Sequence, residues 1–409
     1  MSKPMGTIPP DFEAQEGVLA IGGRRVDALV EQAGGTPLFV YDFGIVRRRI
    51  ERFRTAFRGV NLHYAIKANT YDHLLSRIES LVDGLDVASE GEMRAALVAR
   101  ADGSDISFAG PGKTDAELTA AIDAGVTLNL ESEGEAERAL TIARRRGRRA
   151  RLAVRVNPDF EIRGSGMRMG GGAKPFGIDA ERVPALVRRL VEAEADWRGF
   201  HIFAGSQALD AEALIEAQQA TVDLAASLAE RAGQAPPLVN LGGGFGIPYF
   251  AGEQPLNIEK VGAALHETLK ARPDILADSA FAIELGRWLV GEAGVYLTRI
   301  VDRKVSHGKT FLVTDGGMHH QLAASGNFGQ VVRRNYPVAI ATRFGVAPEE
   351  EATIVGCLCT PLDRLGDDVM LPRAEVGDLV AVFLAGAYGL SASPQAFLGH
   401  PPARERLVE

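Results

Sequence analysis

His63-Tyr64-Ala65-Ile66-Lys67-Ala68-Asn69-Thr70 sets a lysine directly behind an alternating, β-rich run and ahead of a small residue and an asparagine. That order puts Lys67 where a strand gives way to a loop. Burial and nearby cations would lower the pKa of such a lysine and free its amine for nucleophilic attack on an aldehyde. A plainer role is a structural lysine paired with Asp86. The choice depends on what the chain gathers at its other strand ends.

Eight short β-rich runs recur, at residues 62–66, 85–88, 105–109, 126–130, 152–156, 199–204, 238–241 and 281–285. Amphipathic segments separate them. In residues 132–146, Ser132 and Glu135 read as a capping box, and Ala136, Ala139, Leu140 and Ala143 share one face. Ser89 to Glu92 reads as a second box, which gives Glu92 a capping role. Strands alternating with helices imply a parallel sheet. Eight units in about 240 residues favour a closed (β/α)8 barrel over an open doubly wound sheet. After residue 290 the helical period fades, and β-type runs dominate at 295–305, 309–315, 338–344, 351–358 and 378–387. A further strand candidate, Pro37-Leu38-Phe39-Val40-Tyr41, precedes the barrel. The expected α/β architecture is a barrel over residues 44–290 and a discontinuous, mainly β domain from residues 1–43 and 291–409.

Bulk properties narrow the function. The 409 residues are 46% hydrophobic and 24% charged, as in ordinary globular proteins. A net charge of −8 argues against a nucleic-acid partner. Residues 1–17 have no apolar core of the signal-peptide kind. No apolar run approaches the roughly 18 residues of a membrane span. Cys357 and Cys359 stand too close together to suggest a disulfide framework. The expected compartment is the cytoplasm.

Functional groups of such a barrel collect just past the C-terminal strand ends. Lys67 follows the first run; Asp86 and Ser89 close the second; Asn157 follows the fifth. His201 and Gly205-Ser206-Gln207 belong to the sixth, Gly242-Gly243-Gly244-Phe245-Gly246 to the seventh, and Glu284, Gly286 and Arg287 to the eighth. Consecutive glycines let backbone amides approach a phosphate, with Arg287 and Ser206 adding charge and a hydroxyl; the same run also serves a plain tight turn. Glu284 could pair with a protonated ring nitrogen, or with a barrel cation such as Arg155. His201 could stack on a flat cofactor or simply fill the core. Cys359 could donate a proton to a carbanion, or be a free cysteine. The Cys-x-Cys spacing offers too few ligands for zinc, and His319-His320, as adjacent strand residues, would face opposite ways. No metal is expected.

Taken together, these segments resemble the fold-type III pyridoxal phosphate-dependent decarboxylases, which include the diaminopimelate, ornithine and arginine decarboxylases. The resemblance runs from Pro37 to about Gly399. It rests on Tyr64–Asn69, Asp86–Ser89, His201–Gln207, Gly242–Phe245, Glu284–Arg287, Cys359 with Asp363, and Gly386-Ala387-Tyr388-Gly389. It implies an alanine racemase-like barrel, pyridoxal 5'-phosphate as cofactor, and a homodimer with shared active sites. Cofactor contacts would come from Lys67 as an imine, His201 on the ring and Glu284 on the pyridinium. Asp86, Arg155, Ser206, Gly243, Gly244, Gly286, Arg287 and Tyr388 would complete the set, most of them around the phosphate. Decarboxylation would proceed through an external aldimine and a quinonoid, with Cys359 reaching the partner's site to protonate the carbon. The related racemases carry an arginine against the ring nitrogen; a glutamate there favours a stabilised carbanion.

Two departures bear on the substrate, for which the resemblance offers Thr360, Asp363, His319 and His320. Family members acting on free diamino acids carry an acidic residue after the cysteine, where this chain has Thr360. Diaminopimelate enzymes also carry an arginine in the segment that here reads Met318-His319-His320-Gln321-Leu322-Ala323-Ala324-Ser325-Gly326-Asn327-Phe328. The variant text resembles the exosortase A-associated and glutamyl-carrier-protein decarboxylases. The resemblance thus implies an aminoacyl substrate, glutamyl-like, on an acyl carrier protein. The alternatives are a free amino acid such as diaminopimelate or ornithine, and a non-catalytic cofactor-binding regulator. Arg333-Arg334, or Arg144-Arg145-Arg146 with Arg148 and Arg149, would dock an acidic carrier, although an arginine-rich helix end also suits the helix dipole.

Overall fold

The computed structural model describes residues 2–99, 102–162, 166–168, 170–328, 330 and 332–409. The chain forms two compact units, one of Ile50–Ile247 with Pro255–Gly286, the other of Met1–Arg49, Pro248–Gln254 and Arg287–Glu409. The short segment Pro248–Gln254, interior to the barrel range read from sequence, packs with the second unit.

The first unit is a closed barrel of eight parallel strands: β1 (Asn61–Ala65), β2 (Gly84–Val87), β3 (Ile106–Phe108), β4 (Thr127–Leu130), β5 (Arg151–Asn157), β6 (Asp196–Ile202), β7 (Leu238–Asn240) and β8 (Ala280–Leu285). β8 pairs back onto β1, and β4 onto β5, so no edge is left. Every run expected from the sequence is a strand, although β6 begins at Asp196 rather than at 199. Strand residues are buried on both faces, as parallel strands are when helices cover one side. The polar exceptions His63, Asp86, Asn129, Arg155, Asn157, His201, Asn240 and Glu284 are buried within these strands and need partners there.

Helix starts follow the chemistry of the cap, with one change. Ser132 accepts the Glu135 amide at the start of Glu133–Arg146. The reciprocal half of the expected box is not made, because the Glu135 carboxylate turns inward to the Glu131 amide and to Lys113. Likewise Ser89 accepts the Glu92 amide, but Glu92 reaches back to the Ala88 amide. The complete reciprocal box belongs to Thr114 and Glu117, ahead of Asp115–Ala124.

The second unit is built on one sheet. Leu38–Asp42 pairs antiparallel with the long strand Gly294–Ser306 and parallel with Arg404–Val408. Gly294–Ser306 continues to Lys309–Thr314, Glu350–Val355 and Arg364–Leu371 on one side, and to Leu379–Val382 and Val338–Ile340 on the other. Several strands are shorter than the sequence suggests: 378–387 ends at Val382, and Leu384 has a φ of 59° that no strand accommodates. Among the described residues, no helix is long and apolar enough to cross a membrane.

Behind the barrel rim, Lys113 is 1% exposed and its three ammonium protons go to Gly110 O at 2.7 Å, Asn129 O at 2.9 Å and Glu135 Oε1 at 2.8 Å. Burial is the largest influence on both partners, pushing the lysine pKa down and the glutamate pKa up against their attraction. A buried pair of this kind punishes removal of one partner more than removal of both. Lys113→Ala is expected to cost about 3–5 kcal/mol in urea unfolding. The double variant Lys113→Met/Glu135→Leu is expected to recover most of that loss. Equal stability of the single variant and the wild type would show that the network holds nothing.

Candidate active site

Lys67 sits on a one-turn helix, Ile66–Ala68, at the C-terminal end of β1. The buried Tyr64 hydroxyl donates to Asn69 O at 2.9 Å, and Asn69 Oδ1 accepts the Tyr71 amide, so the residues flanking Lys67 fix the turn that presents it. The Lys67 Nζ lies 3.4 Å from Glu284 Oε1 at the end of β8. The lysine side chain is 46% exposed and the glutamate 6%. Deep burial, expected to act on this amine, does not surround it; its ion-pair partner is a buried carboxylate. Asp86, the alternative partner, instead lies 3.4 Å from His63 Nδ1. Burial, the largest single influence, would depress the His63 pKa, but the charge and hydrogen bond of Asp86 together with the charges of Glu284 and Asp83 outweigh it and raise it.

Glu284 is the electrostatic centre of the rim. Burial opposes its ionisation, yet the Lys67 ammonium, His201 and Arg155 outweigh burial and hold its carboxyl well below the usual carboxylate range. His201 Nε2 comes within 3.2 Å of Glu284 Oε2, close enough for attraction but out of line for a hydrogen bond. Both His201 ring nitrogens, though buried, lack a hydrogen-bond partner, and so does Asp86 Oδ2. Arg155 is not paired with Glu284: its Nη1 donates to Glu131 Oε1 at 2.7 Å. Glu131 also accepts the Gly110 amide at 2.6 Å and the Gly177 amide at 2.7 Å. Lys67, Asp86, Arg155, His201, Phe203 and Glu284 line one small cavity. Glu131 and Lys113 were missed in the sequence, although Glu131 follows β4 and the strand-end rule that found the others applies to it.

The glycine run after β7 is woven into its neighbours. Gly242 O accepts the Glu284 amide and Gly244 O the Ala208 amide, each at 2.9 Å. A Cβ on Gly243 would run into the Glu284 carbonyl, and one on Gly244, whose φ is 83°, into the Gly205 carbonyl. Gln207, beside Ser206, clips the run from both sides by donating to Ile247 O and accepting its amide. A Cβ on Gly286 would meet Ala68 Cβ at 2.8 Å, so glycine is what lets the end of β8 close on the Lys67 turn.

In the second unit, Arg287 Nη1 donates to the Tyr249 hydroxyl at 2.9 Å and its guanidinium lies 4.7 Å over the Tyr388 ring. Its buried Nε has no partner. Cys359 is exposed and Thr360 half-buried on the loop that follows Glu350–Val355. Asp363, expected at the substrate, is 2% exposed and holds two loops together: its oxygens accept the Met318 amide at 2.6 Å and the Leu358 amide at 2.9 Å. His319 and His320 are buried as well, rather than offered to a substrate. His320 bridges the Tyr296 hydroxyl and Pro401 O, and burial with two neighbouring imidazoles brings the His319 pKa down to about 4. Of the docking candidates, Arg333 donates to Arg364 O, and Arg334 is tied to Glu253 at 3.1 Å and stacked 3.7 Å over Phe250. The other run precedes β5, so it lies at the barrel end opposite Lys67; Arg144, Arg148 and Arg149 line a groove there with Arg189.

Residues 43–291 match the family model described as pyridoxal-dependent decarboxylase, pyridoxal binding domain. The chain is 37% identical over 379 residues to the L-glutamyl-[BtrI acyl-carrier protein] decarboxylase of Niallia circulans, covering 91% of this chain and 88% of that protein. It is 33% identical over 403 residues to the diaminopimelate decarboxylase of Archaeoglobus fulgidus, covering 97% and 93%. The structure of diaminopimelate decarboxylase from M. jannaschii in complex with L-lysine superposes with a TM-score of 0.88 at 28% identity, covering 98% and 93%.

The residues present fit pyridoxal phosphate. A low-pKa carboxylate suits a pyridinium, the His201 ring, whose nitrogens make no hydrogen bond, offers a flat face, and Lys67 beside Glu284 would supply the amine. The chain belongs to the pyridoxal-dependent decarboxylases, carbon–carbon lyases that use pyridoxal phosphate.

Proposed function

We propose that this enzyme removes the α-carboxylate of a glutamyl-like amino acid whose distal end is carried on an acyl carrier protein. The reading is carried by one observation: the ionised, buried Glu284 stands 3.4 Å from Lys67 at the barrel rim. Pyridoxal phosphate, when bound, supplies an aldehyde for amine exchange and a ring that takes up the electrons released with carbon dioxide. Lys67 gives the amine that holds and releases it. Glu284, kept ionised, stabilises positive charge on the ring nitrogen and so strengthens the electron sink. His201 packs the ring. Ser206, Gly243, Gly244, Gly286, Arg287 and Tyr388 receive the phosphate, while Asp86 and Arg155 complete the polar wall. Cys359, exposed on its loop, returns the proton to the α-carbon in the second subunit of a homodimer.

The carrier-bound substrate is supported by what the chain lacks in sequence. Thr360 stands where an acidic residue would bind a free amine, and residues 315–328 hold no arginine for a distal carboxylate. A thioester-linked distal end presents neither charge. The relative of Niallia circulans is named for a glutamyl-carrier substrate. The second reading, decarboxylation of free diaminopimelate, is supported by the similarity to the enzyme of Archaeoglobus fulgidus.

One measurement separates these readings, and a second tests the electron sink they share. Carbon dioxide release from a glutamyl-carrier thioester is expected to exceed that from free glutamate, diaminopimelate or ornithine by about tenfold or more in kcat/KM. Faster turnover of free diaminopimelate would favour the second reading and remove the carrier. Glu284→Gln is expected to keep cofactor absorbance and lose about 10²-fold in kcat. An unchanged kcat would remove Glu284 from the electron sink.

A further inference from the structure

The second unit holds a set of side chains that the decarboxylation chemistry does not use. His319 lies in the turn after Lys309–Thr314, Cys357 just after Glu350–Val355, and His400 just before Arg404–Val408. One nitrogen or sulfur atom from each falls within 4.8 Å of the others, the candidate metal-ligand group among the described residues. The Cys357 Sγ is 3.8 Å and 3.9 Å from the two His400 ring nitrogens, and the His319 and His400 ring centres are 5.2 Å apart. His319 is 0% exposed, and neither of its ring nitrogens has a hydrogen-bond partner. A fully buried imidazole with both nitrogens unused is rare, since buried polar groups are nearly always satisfied.

From this geometry we infer a binding site for a borderline divalent transition-metal ion, zinc by preference, ligated by His319, Cys357 and His400 with a fourth position left for water. Zinc bonds of about 2.3 Å to sulfur and 2.0–2.1 Å to nitrogen, in a tetrahedron, put sulfur and nitrogen about 3.6 Å apart. The Cys357–His400 separations lie within a few tenths of an ångström of that, a rotation of the half-buried His400 ring brings one nitrogen forward, and His319 closes in from within 4.8 Å. One thiolate with two imidazoles suits zinc over magnesium or calcium, which take oxygen ligands.

The surroundings already orient these ligands. Cys357 Sγ contacts Asp315 O at 3.5 Å. His320, held by the Tyr296 hydroxyl, reaches Pro401 O at 3.0 Å, and so ties the residue after His319 to the residue after His400. Such outer contacts fix ligand orientation in metal sites. The ion would pin the C-terminal segment to the loop Gly356–Asp363, which carries Cys359 and Thr360. Its role is structural, and the inference stands apart from the choice of decarboxylation substrate.

The sequence suggested that His319 and His320, as strand neighbours, face opposite ways; both lie instead in a turn, with ring centres 3.8 Å apart, and it is the engagement of His320 with Tyr296 and Pro401 that leaves His319 alone for the ion. The sequence had no means of bringing His400 alongside. The test uses tag-free holoenzyme, metal analysis and cobalt substitution. One zinc per chain is expected after dialysis against equimolar zinc, and the cobalt form is expected to show a thiolate charge-transfer band. Cys357→Ser and His400→Ala should each lose the band and the zinc-dependent rise in Tm. Cys359→Ser should keep both, and far-ultraviolet circular dichroism establishes that each variant is folded. Failure of the wild type to retain zinc, or loss of the band in Cys359→Ser but not in Cys357→Ser, would overturn the site.

Discussion

A carboxylate kept ionised inside a barrel is the constraint on which the site depends. Glu284 is 6% exposed, and a charge so placed survives only with compensation. Lys67, His201 and Arg155 provide it, and each comes from a different strand end. The arrangement therefore ties β1, β5, β6 and β8 to one electrostatic condition. Arg155 acts on Glu284 through its charge alone, since its own hydrogen-bond partner is Glu131. Glu131 in turn holds two loop amides, and its neighbour Glu135 holds Lys113. The polar rim is thus a set of paired charges, and the His201 ring nitrogens and Asp86 Oδ2, buried without a hydrogen bond, belong to residues that line the cavity.

Much of this was legible in the sequence because strand ends are local. A lysine after an alternating run, a glutamate closing Phe281-Ala282-Ile283 and glycines after residues 238–241 each announce a position without knowledge of their neighbours. The barrel itself follows from counting such units. Legibility failed where the deciding partner lies far along the chain. Glu135 reads as a cap because Ser132 is three residues away, yet its carboxylate answers to Lys113. Arg404–Val408 is not among the runs expected as strands, and it becomes one because Leu38–Asp42 offers an edge. Arg364–Leu371 was hidden by its Gly-Asp-Asp text, which resembles a turn, and Asp368 does adopt a φ of 50° within it.

The loop that carries Cys359 shows how one sequence feature serves two demands. Asp363 sits where a substrate contact was expected, and it is instead the clasp between the turn at Met318 and the loop at Leu358. Gly317 and Gly356 are glycines because a Cβ on either would collide with that carboxylate. The clasp leaves Cys359 exposed while Cys357 faces inward. Cys357 is the protected thiol of the pair: burial, with Asp363 beside it, pushes its pKa up to about 11.

The proposed chemistry requires Lys67 to be the residue that holds the cofactor. Borohydride reduction of the holoenzyme followed by peptide mapping tests this directly. Loss of the visible imine band is predicted, with a reduced pyridoxyl group on the peptide containing Lys67 and no such band in Lys67→Ala. The same band in Lys67→Ala, or a label on another lysine, would contradict it.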